Sequence, residues 1–294
     1  MKSLVRFCFL MAALAAAPSV FAQFGGRAGD AVVYLMSNRS SVTYETVAQT
    51  TTNSATTLGQ FRTVNPATLS DVPFPGFTTD FTTMKVLNSE ANNGFRLVTQ
   101  YEKIVGPPRT FSATYKSFII EGLVQDTKNL GEFTAGAGVS LRAGKEFGND
   151  LALETARVLF WSPVPQFPTV GTVFQGLPQP GIDDAIVPAL TAWDNMRKLY
   201  PTGRWQDGID LKTLDKDTTT NSTMALLRLR PGRRSPLFRI SATTHLYVLE
   251  GTVTMIVPGA GQFTLPANHY AYVPAGVVLS LSNIKAYDGP VPSP

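Results

Sequence analysis

The 294-residue chain contains a single cysteine, Cys8, and two histidines, His245 and His269. One thiol, lying among the first ten residues, excludes both a disulfide framework and thiolate catalysis. Two imidazoles leave almost no material for a serine or cysteine triad, and Ser140 in "GVSLR" lacks the second glycine of a nucleophile elbow. No glycine loop followed by lysine is available to cradle a phosphate. Beyond the first 22 residues no segment approaches the ~20 unbroken apolar residues of a membrane helix. Charge is sparse too, at 16% of residues, with a net +4 and a pI near 9.2. The bases are scattered except in "RLRPGRR" (228–234), which reads as a solvated strand end and turn rather than an anion contact. No aromatics interleave with them, so a nucleic-acid groove is excluded.

What the chain does have begins with "MKSLVRFCFLMAALAAAPSVFAQF". A short basic start, an apolar stretch and a small-residue site ending at Ala22 are the marks of an export leader, and the apolar stretch is too short to stay in a bilayer. The expected product is a secreted protein, periplasmic or extracellular, beginning at Gln23. Without disulfides it must be held by its own core.

The sequence repeats. "SATYKSFIIEG" (112–122) and "SATTHLYVLEG" (241–251) align without a gap, and the same offset pairs Pro107 with Pro236, Phe118 with Tyr247, Ile119 with Val248 and Glu121-Gly122 with Glu250-Gly251. "GEFTAGAGVSLRAG" (131–144) resembles "GQFTLPANHYAYVPAG" (261–276), with small gaps of the kind loops tolerate. Two homologous domains follow. "LYVLEGTVTMIV" and "HYAYVPAGVVLSLSN" alternate, are rich in β-branched and aromatic residues, and are cut by proline and glycine turns, which predicts antiparallel sandwiches or barrels.

Between the copies, "WSPVPQFPTVGTVFQGLPQPG" (161–181) reads as an extended connector. Leu190, Trp193, Met196 and Tyr200 then recur at spacings of three and four, which predicts a helix over 188–200. Asp183-Asp184 would serve the positive end of that helix. The pairs Asp207/Asp210 and Asp215/Asp217 read as parts of polar loops. The expected division is a leader at 1–22, a first domain at 23–160, a connector with helix at 161–203 and a second domain at 204–294.

"HLYVLEGTVTMIVPGAGQFTLPANHYAYVPAGVVLSLSN" resembles the cupin superfamily, and the duplication makes the chain similar to a bicupin. The resemblance implies an all-β fold of two double-stranded β-helix (jelly-roll) barrels. In bicupins of the oxalate-decarboxylase and quercetinase type it also implies a divalent metal on histidines and a glutamate. Anchoring the family's first motif on Gly251 places Thr244 at the glutamate, and Phe238 with Ile240, or Leu237 with Arg239, at the histidines. Pro274, Ala275, Gly276 and Asn283 fit the second motif, but Leu279 stands at its histidine. In the first copy Tyr115 takes the glutamate's place, Arg109 and Phe111 the first histidines' and Phe147 the last.

A divalent metal needs three or four imidazole or carboxylate donors at about 2.0–2.2 Å, which these residues do not supply. No cofactor is therefore expected. The alternative is a divalent metal on His245 and His269. It is disfavoured because strand alternation turns His245 outward when Thr244 faces inward, and because His269 sits at a turn.

Phe111, Tyr115 and Phe147 in one barrel, with Ile240, Thr244 and Leu279 in the other, then either fill the interiors or line an apolar pocket for a small organic or sugar-like ligand. In the second case Tyr115 and Thr244 supply hydroxyls. Two functions stay open: a metal-independent binding or structural protein, and a cupin-type oxygenase, decarboxylase or isomerase with an unconventional site in the second barrel. The sequence does not give the oligomeric state; the resemblance implies a homodimer as one option, since cupins as a family often dimerise, and the helix at 188–200 could contribute to such a contact.

Overall fold

A computed structural model describes residues 24–74, 81–89, 94–103, 106, 109–126, 131–144, 146–147, 150–163, 169–170, 185–186 and 192–284. Its frame is two seven-stranded antiparallel sheets. One runs in the order Asp194–Asn195, Ile209–Asp217, Ser222–Leu229, Ala31–Ser37, Thr244–Glu250, Tyr270–Val273, Arg62–Val64. The other runs Ala185–Ile186, Gly138–Leu141, Tyr115–Glu121, Ala156–Ser162, Gly94–Gln100, Thr82–Asn88, Val72–Pro73. A five-stranded sheet containing Phe238–Ile240, Thr252–Val257 and Val278–Ser282 closes the first into a barrel, and two three-stranded sheets close the second. The fold is all-β, with two jelly-roll barrels. Among the described residues no helix is long and apolar enough to cross a membrane.

The two large sheets repeat each other in register. Ala31–Ser37 pairs with Thr244–Glu250 across a bulge between Val32 and Val33, and Ala156–Ser162 pairs with Tyr115–Glu121 across a bulge between Arg157 and Val158. Leu35 faces Leu246 and Ala225, as Phe160 faces Ser117 and Arg96. The strand completing the C-terminal barrel therefore comes from the chain's beginning. Tyr44–Thr46 and Arg62–Val64 join the same barrel. The division into 23–160 and 204–294 thus needs correction, because the strands of 31–64 belong with the second unit. The connector is corrected as well. Trp161 and Ser162 end a central strand, while Thr169–Val170 and Ala185–Ile186 pair with strands of the N-terminal barrel.

Within the described part of the expected 188–200 helix, residues 192–200, only one turn is helical, Met196–Leu199, capped by the Asn195 side chain. Trp193 precedes it in non-helical backbone, with Arg228 and Lys212 against its ring at 4.3 and 4.9 Å. These cation–π contacts explain the aromatic that seemed to belong to a helical stripe. Residues 183–184 and 188–191 lie outside the described residues, as does the leader.

Three apolar clusters follow from strand alternation. Val33, Leu35, Leu246 and Val248 point into the C-terminal barrel. Met84, Val98, Ile119 and Val158 point into the N-terminal one. The opposite faces of the two sheets, carrying Tyr34, Met36, Phe95, Phe118, Trp161 and Tyr247, pack against each other in a third cluster. A strand buried on both faces loses polar alternation, which is why "AVVYLMS" reads as a continuous apolar run. Each fully buried large side chain contributes ~1.5–3 kcal/mol, so the seam is part of the core.

Candidate ligand cavity in the N-terminal barrel

The C-terminal interior carries a large apolar cluster. Phe238, Ile240 and Leu279 are buried in its cluster, and Thr244 spends its hydroxyl on Ser37 Oγ at 2.8 Å and the Ala242 carbonyl at 3.1 Å. Ile240, Thr244 and Leu279 are all buried in this barrel, and none of them lines the cavity described below.

The N-terminal interior is built differently. Its Phe111, Tyr115 and Phe160 rings form an aromatic floor, with centroids 4.9 Å apart for Phe111–Tyr115 and 5.4 Å for Tyr115–Phe160. Burial raises the Tyr115 pKa, with Ser112 and the Arg96 guanidinium pulling it back. Phe147 pairs through its backbone with Arg109 at the end of the barrel, and its side chain lies outside the described residues.

Beyond that floor is a cavity of ≈ 60 Å³. Its apolar wall includes Phe74, Phe81, Val98, Ile119 and Phe133, and Phe160 joins it to the floor. Its polar groups are Thr82, Gln100, Ser117 and Asp150. The Gln100 amide donates to Asp150 Oδ2 at 3.2 Å, fixing both side chains inside the barrel. Neither Phe111 nor Tyr115 lines this space, so the expected pocket residues sit beside the cavity instead of around it.

Arg96, Gln100 and Ser117 hold the inward places that Ala225, Leu229 and Leu246 hold in the C-terminal barrel, and of these Gln100 and Ser117 line the cavity. Three apolar positions of one barrel are polar in the other. Arg96 is buried, with Nη1 donating to Ser162 Oγ at 3.0 Å, and that burial lowers its pKa. The motif anchoring missed these residues because it looked only at the family's ligand positions. The signal was there in "GFRLVTQ", whose second-neighbour positions Arg96, Val98 and Gln100 share one face.

Neither histidine reaches a barrel interior site. His245 points away from Leu246 and is fully buried in the seam, stacked on Phe95 at 4.8 Å with Nδ1 2.8 Å from Tyr270 Oη. Burial, aided by the Arg62 charge, lowers its pKa to about 3. His269 is half-buried at a turn, with Nδ1 3.4 Å from the Ala267 carbonyl.

The acidic pairs are also relocated. Asp210, Asp215 and Asp217 lie on the strand Ile209–Asp217, not in loops. Asp210 accepts from Arg228 at 2.8 Å, so the first arginine of "RLRPGRR" is buried and paired, not solvated.

No protein-family model matches the sequence, and no curated protein matches it. Solved structures do resemble it. A candidate dioxygenase from Nostoc punctiforme superimposes with a TM-score of 0.58 at 17% identity, over 76% of this chain and 79% of that one. A deletion variant of Bacillus subtilis oxalate decarboxylase gives 0.55 at 12% identity, over 80% of this chain and 75% of that one. The likeness shows the fold, two cupin-type barrels in one chain. The donor set departs from that of a metal site. Among the described residues no three His, Cys, Asp or Glu side chains converge, and Asp150 is the one carboxylate lining the N-terminal cavity. A transition metal does not fit that set.

Proposed function

We propose that this bicupin is exported and binds a short organic molecule in its N-terminal barrel without a metal, while the C-terminal barrel is structural. The observation that carries the reading is that two apolar inward positions of the C-terminal barrel, Leu229 and Leu246, are held in the N-terminal barrel by Gln100 and Ser117, both of which line the cavity. Ser117 is smaller than leucine and leaves space, and Gln100, fixed by Asp150, presents a polar group to it. A mostly apolar cavity with a few fixed polar groups is the usual form of a small-molecule site.

Size and charge narrow the ligand. The space of ≈ 60 Å³ is smaller than the ~150 Å³ cavity known to take up benzene, which favours ligands smaller than a sugar ring. The Asp150 carboxylate disfavours a dicarboxylate there and favours hydrogen-bond donors. Short alcohols, diols and amides suit both limits.

Thermal-shift titration with short alcohols, diols, primary amides, hexoses and oxalate tests this. At a hundred times its dissociation constant a ligand stabilises by roughly 2.7 kcal/mol, easily read as a rise in Tm. The rise is expected for a member of the first three classes and is expected to vanish in Gln100→Leu. A rise with hexoses or oxalate alone, or one unchanged in Gln100→Leu, would sink the assignment. Elemental analysis showing one tightly bound metal per chain would do the same.

A further inference from the structure

The bases of "RLRPGRR" divide into two groups in the fold. Arg228 and Arg230 are drawn to Asp210, at 2.8 and 3.7 Å. Arg234 is exposed and has no carboxylate partner among the described residues. Its Nε donates to Ser280 Oγ at 3.4 Å and its backbone bridges to Ser282, which fixes the side chain's direction and leaves both Nη groups to solvent.

A second exposed arginine, Arg204, shares its surroundings. With Gln49, Gln206, Ser235 and Pro236 the two line an open concavity of ≈ 280 Å³. No carboxylate is among these residues. The acids nearest in sequence are engaged elsewhere, Asp207 with Arg197 at 2.9 Å and Glu45 with Arg239 at 3.5 Å. Leu279 and Leu281 point into the C-terminal barrel, so Ser280 between them points out, and the concavity lies on the barrel's outer face. The interior of that barrel keeps its packing role.

Three chain segments hold the site. Trp205 is buried against Phe238 at 5.0 Å and Tyr200 at 6.4 Å, which pins Arg204 and Gln206 on either side of it. A Cβ at Gly203 would come within 2.7 Å of the Trp205 ring and 3.0 Å of Thr46, so the glycine lets this turn press onto the barrel. The Val47 N–H donates to the Leu237 carbonyl at 2.9 Å, bringing the segment of Gln49 alongside. Ser235 is buried, its Oγ accepting from the Leu281 N–H at 2.9 Å. Charged groups carried on a fixed backbone lose less freedom when a ligand arrives. The first copy has no such charge in its sequence: the offset that pairs Pro107 with Pro236 sets Ile104 and Val105 against Arg233 and Arg234.

We propose that this concavity binds a small hydroxylated oxyanion, a sugar acid or a sugar sulfate, through Arg204 and Arg234. A guanidinium fork matches the paired oxygens of such a group. The Gln49 and Gln206 amides donate and accept, which suits hydroxyls. The space exceeds the ~150 Å³ that takes up benzene, so it suits a six-membered ring better than a bare ion.

Isothermal titration calorimetry at low salt tests the site with glucuronate, glucose 6-sulfate, glucose and inorganic sulfate. At least one of the two anionic sugars is expected to bind about tenfold or more tightly than glucose or free sulfate, and which one it is names the oxyanion. Arg204→Gln and Arg234→Gln should each weaken that binding about tenfold, the loss of a charge-assisted hydrogen bond, with Tm unchanged. Arg233→Gln removes the same charge from a neighbour that does not line the concavity, and should stay within about twofold of wild type. Absence of binding by both anionic sugars at millimolar concentration overturns the proposal. So does glucose or sulfate binding as tightly as they do, or an equal loss in Arg233→Gln, which would mark a diffuse attraction to a basic surface. Gln100→Leu is expected to leave this binding intact, so the result is independent of the cavity in the other barrel.

Discussion

Lys116 and His245 stand at the same place in the two seven-stranded sheets, opposite Trp161 and Met36 respectively, and both point into the seam between the barrels. Each position meets different partners, and His245 Nε2 is buried without a hydrogen-bond partner among the described residues. Lys116 Nζ donates to Ser140 Oγ at 2.7 Å and meets Asp215 and Asp217 at 2.8 and 2.6 Å, so an ammonium of the N-terminal barrel is held by carboxylates of the C-terminal one. His245 is packed among Phe95, Tyr270 and Tyr272.

Lys116→Met leaves two half-buried aspartates facing apolar surface. Breaking such a pair from one side costs on the order of 3 kcal/mol at neutral pH. The loss should depend on acid in a defined direction. Burial raises Asp217, but Lys116 and Thr220 outweigh it and bring its pKa to about 2. A carboxylate depressed in the fold stabilises above its unfolded value and loses that contribution as pH falls through the folded one. Urea unfolding of wild type and Lys116→Met at pH 7 and pH 2.5 is expected to show a gap that narrows in acid. A constant gap would mean that the lysine acts through its methylenes alone.

His245 carries the same acid sensitivity at higher pH. Its pKa falls from 6.5 to about 3 in the fold, so the unfolded chain binds the extra proton first. Stability is therefore lost as pH falls from about 6.5 towards 3. His245→Phe keeps a ring against Phe95 and removes the titration. Its stability curve is expected to be flatter than the wild type's across that window. Parallel curves would rule out His245 as the source.

Most of the fold could be read from the sequence because the repeat is a packing repeat. The offset linking Ser112 to Ser241 matches strands with the same bulge and the same partners. What could not be read is the chain exchange. Nothing local in "AVVYLMS" says whether it pairs with the strands near it in sequence or with Ser222–Leu229 and Thr244–Glu250, about two hundred residues on. Strand alternation placed His245 on the outer face of its barrel, but a face outside one barrel can lie inside the seam with another. The cavity was hidden for a related reason: Gln100 and Asp150 meet only after the barrel closes.

The exchanged strand predicts how fragments behave. A fragment covering 204–284 keeps the repeat but lacks Ala31–Ser37, so Ser222–Leu229 and Thr244–Glu250 would each expose an unpaired edge with apolar residues on both faces. Such edges favour aggregation. The fragment is expected to be unfolded or insoluble by circular dichroism and sedimentation, and adding residues 24–64 through a flexible linker should restore cooperative melting. A fragment of 204–284 that melts cooperatively alone would show the strand to be dispensable.

Exchanging one residue pair between the barrels tests whether the cavity is a site or a packing defect. Ser117 and Leu246 occupy equivalent inward positions, one beside the cavity and one in an apolar core. Ser117→Leu places the larger apolar side chain where space exists, so it is expected to hold or raise Tm by filling the void. If the cavity is the binding site, the same substitution abolishes the ligand-induced shift. The reciprocal Leu246→Ser removes a buried side chain from an apolar interior and should cost about 2–5 kcal/mol, as large-to-small core changes do. It is expected to leave the ligand shift intact, as the proposed site in the N-terminal barrel requires. The opposite pattern, with binding lost in Leu246→Ser and retained in Ser117→Leu, would move the site to the other barrel.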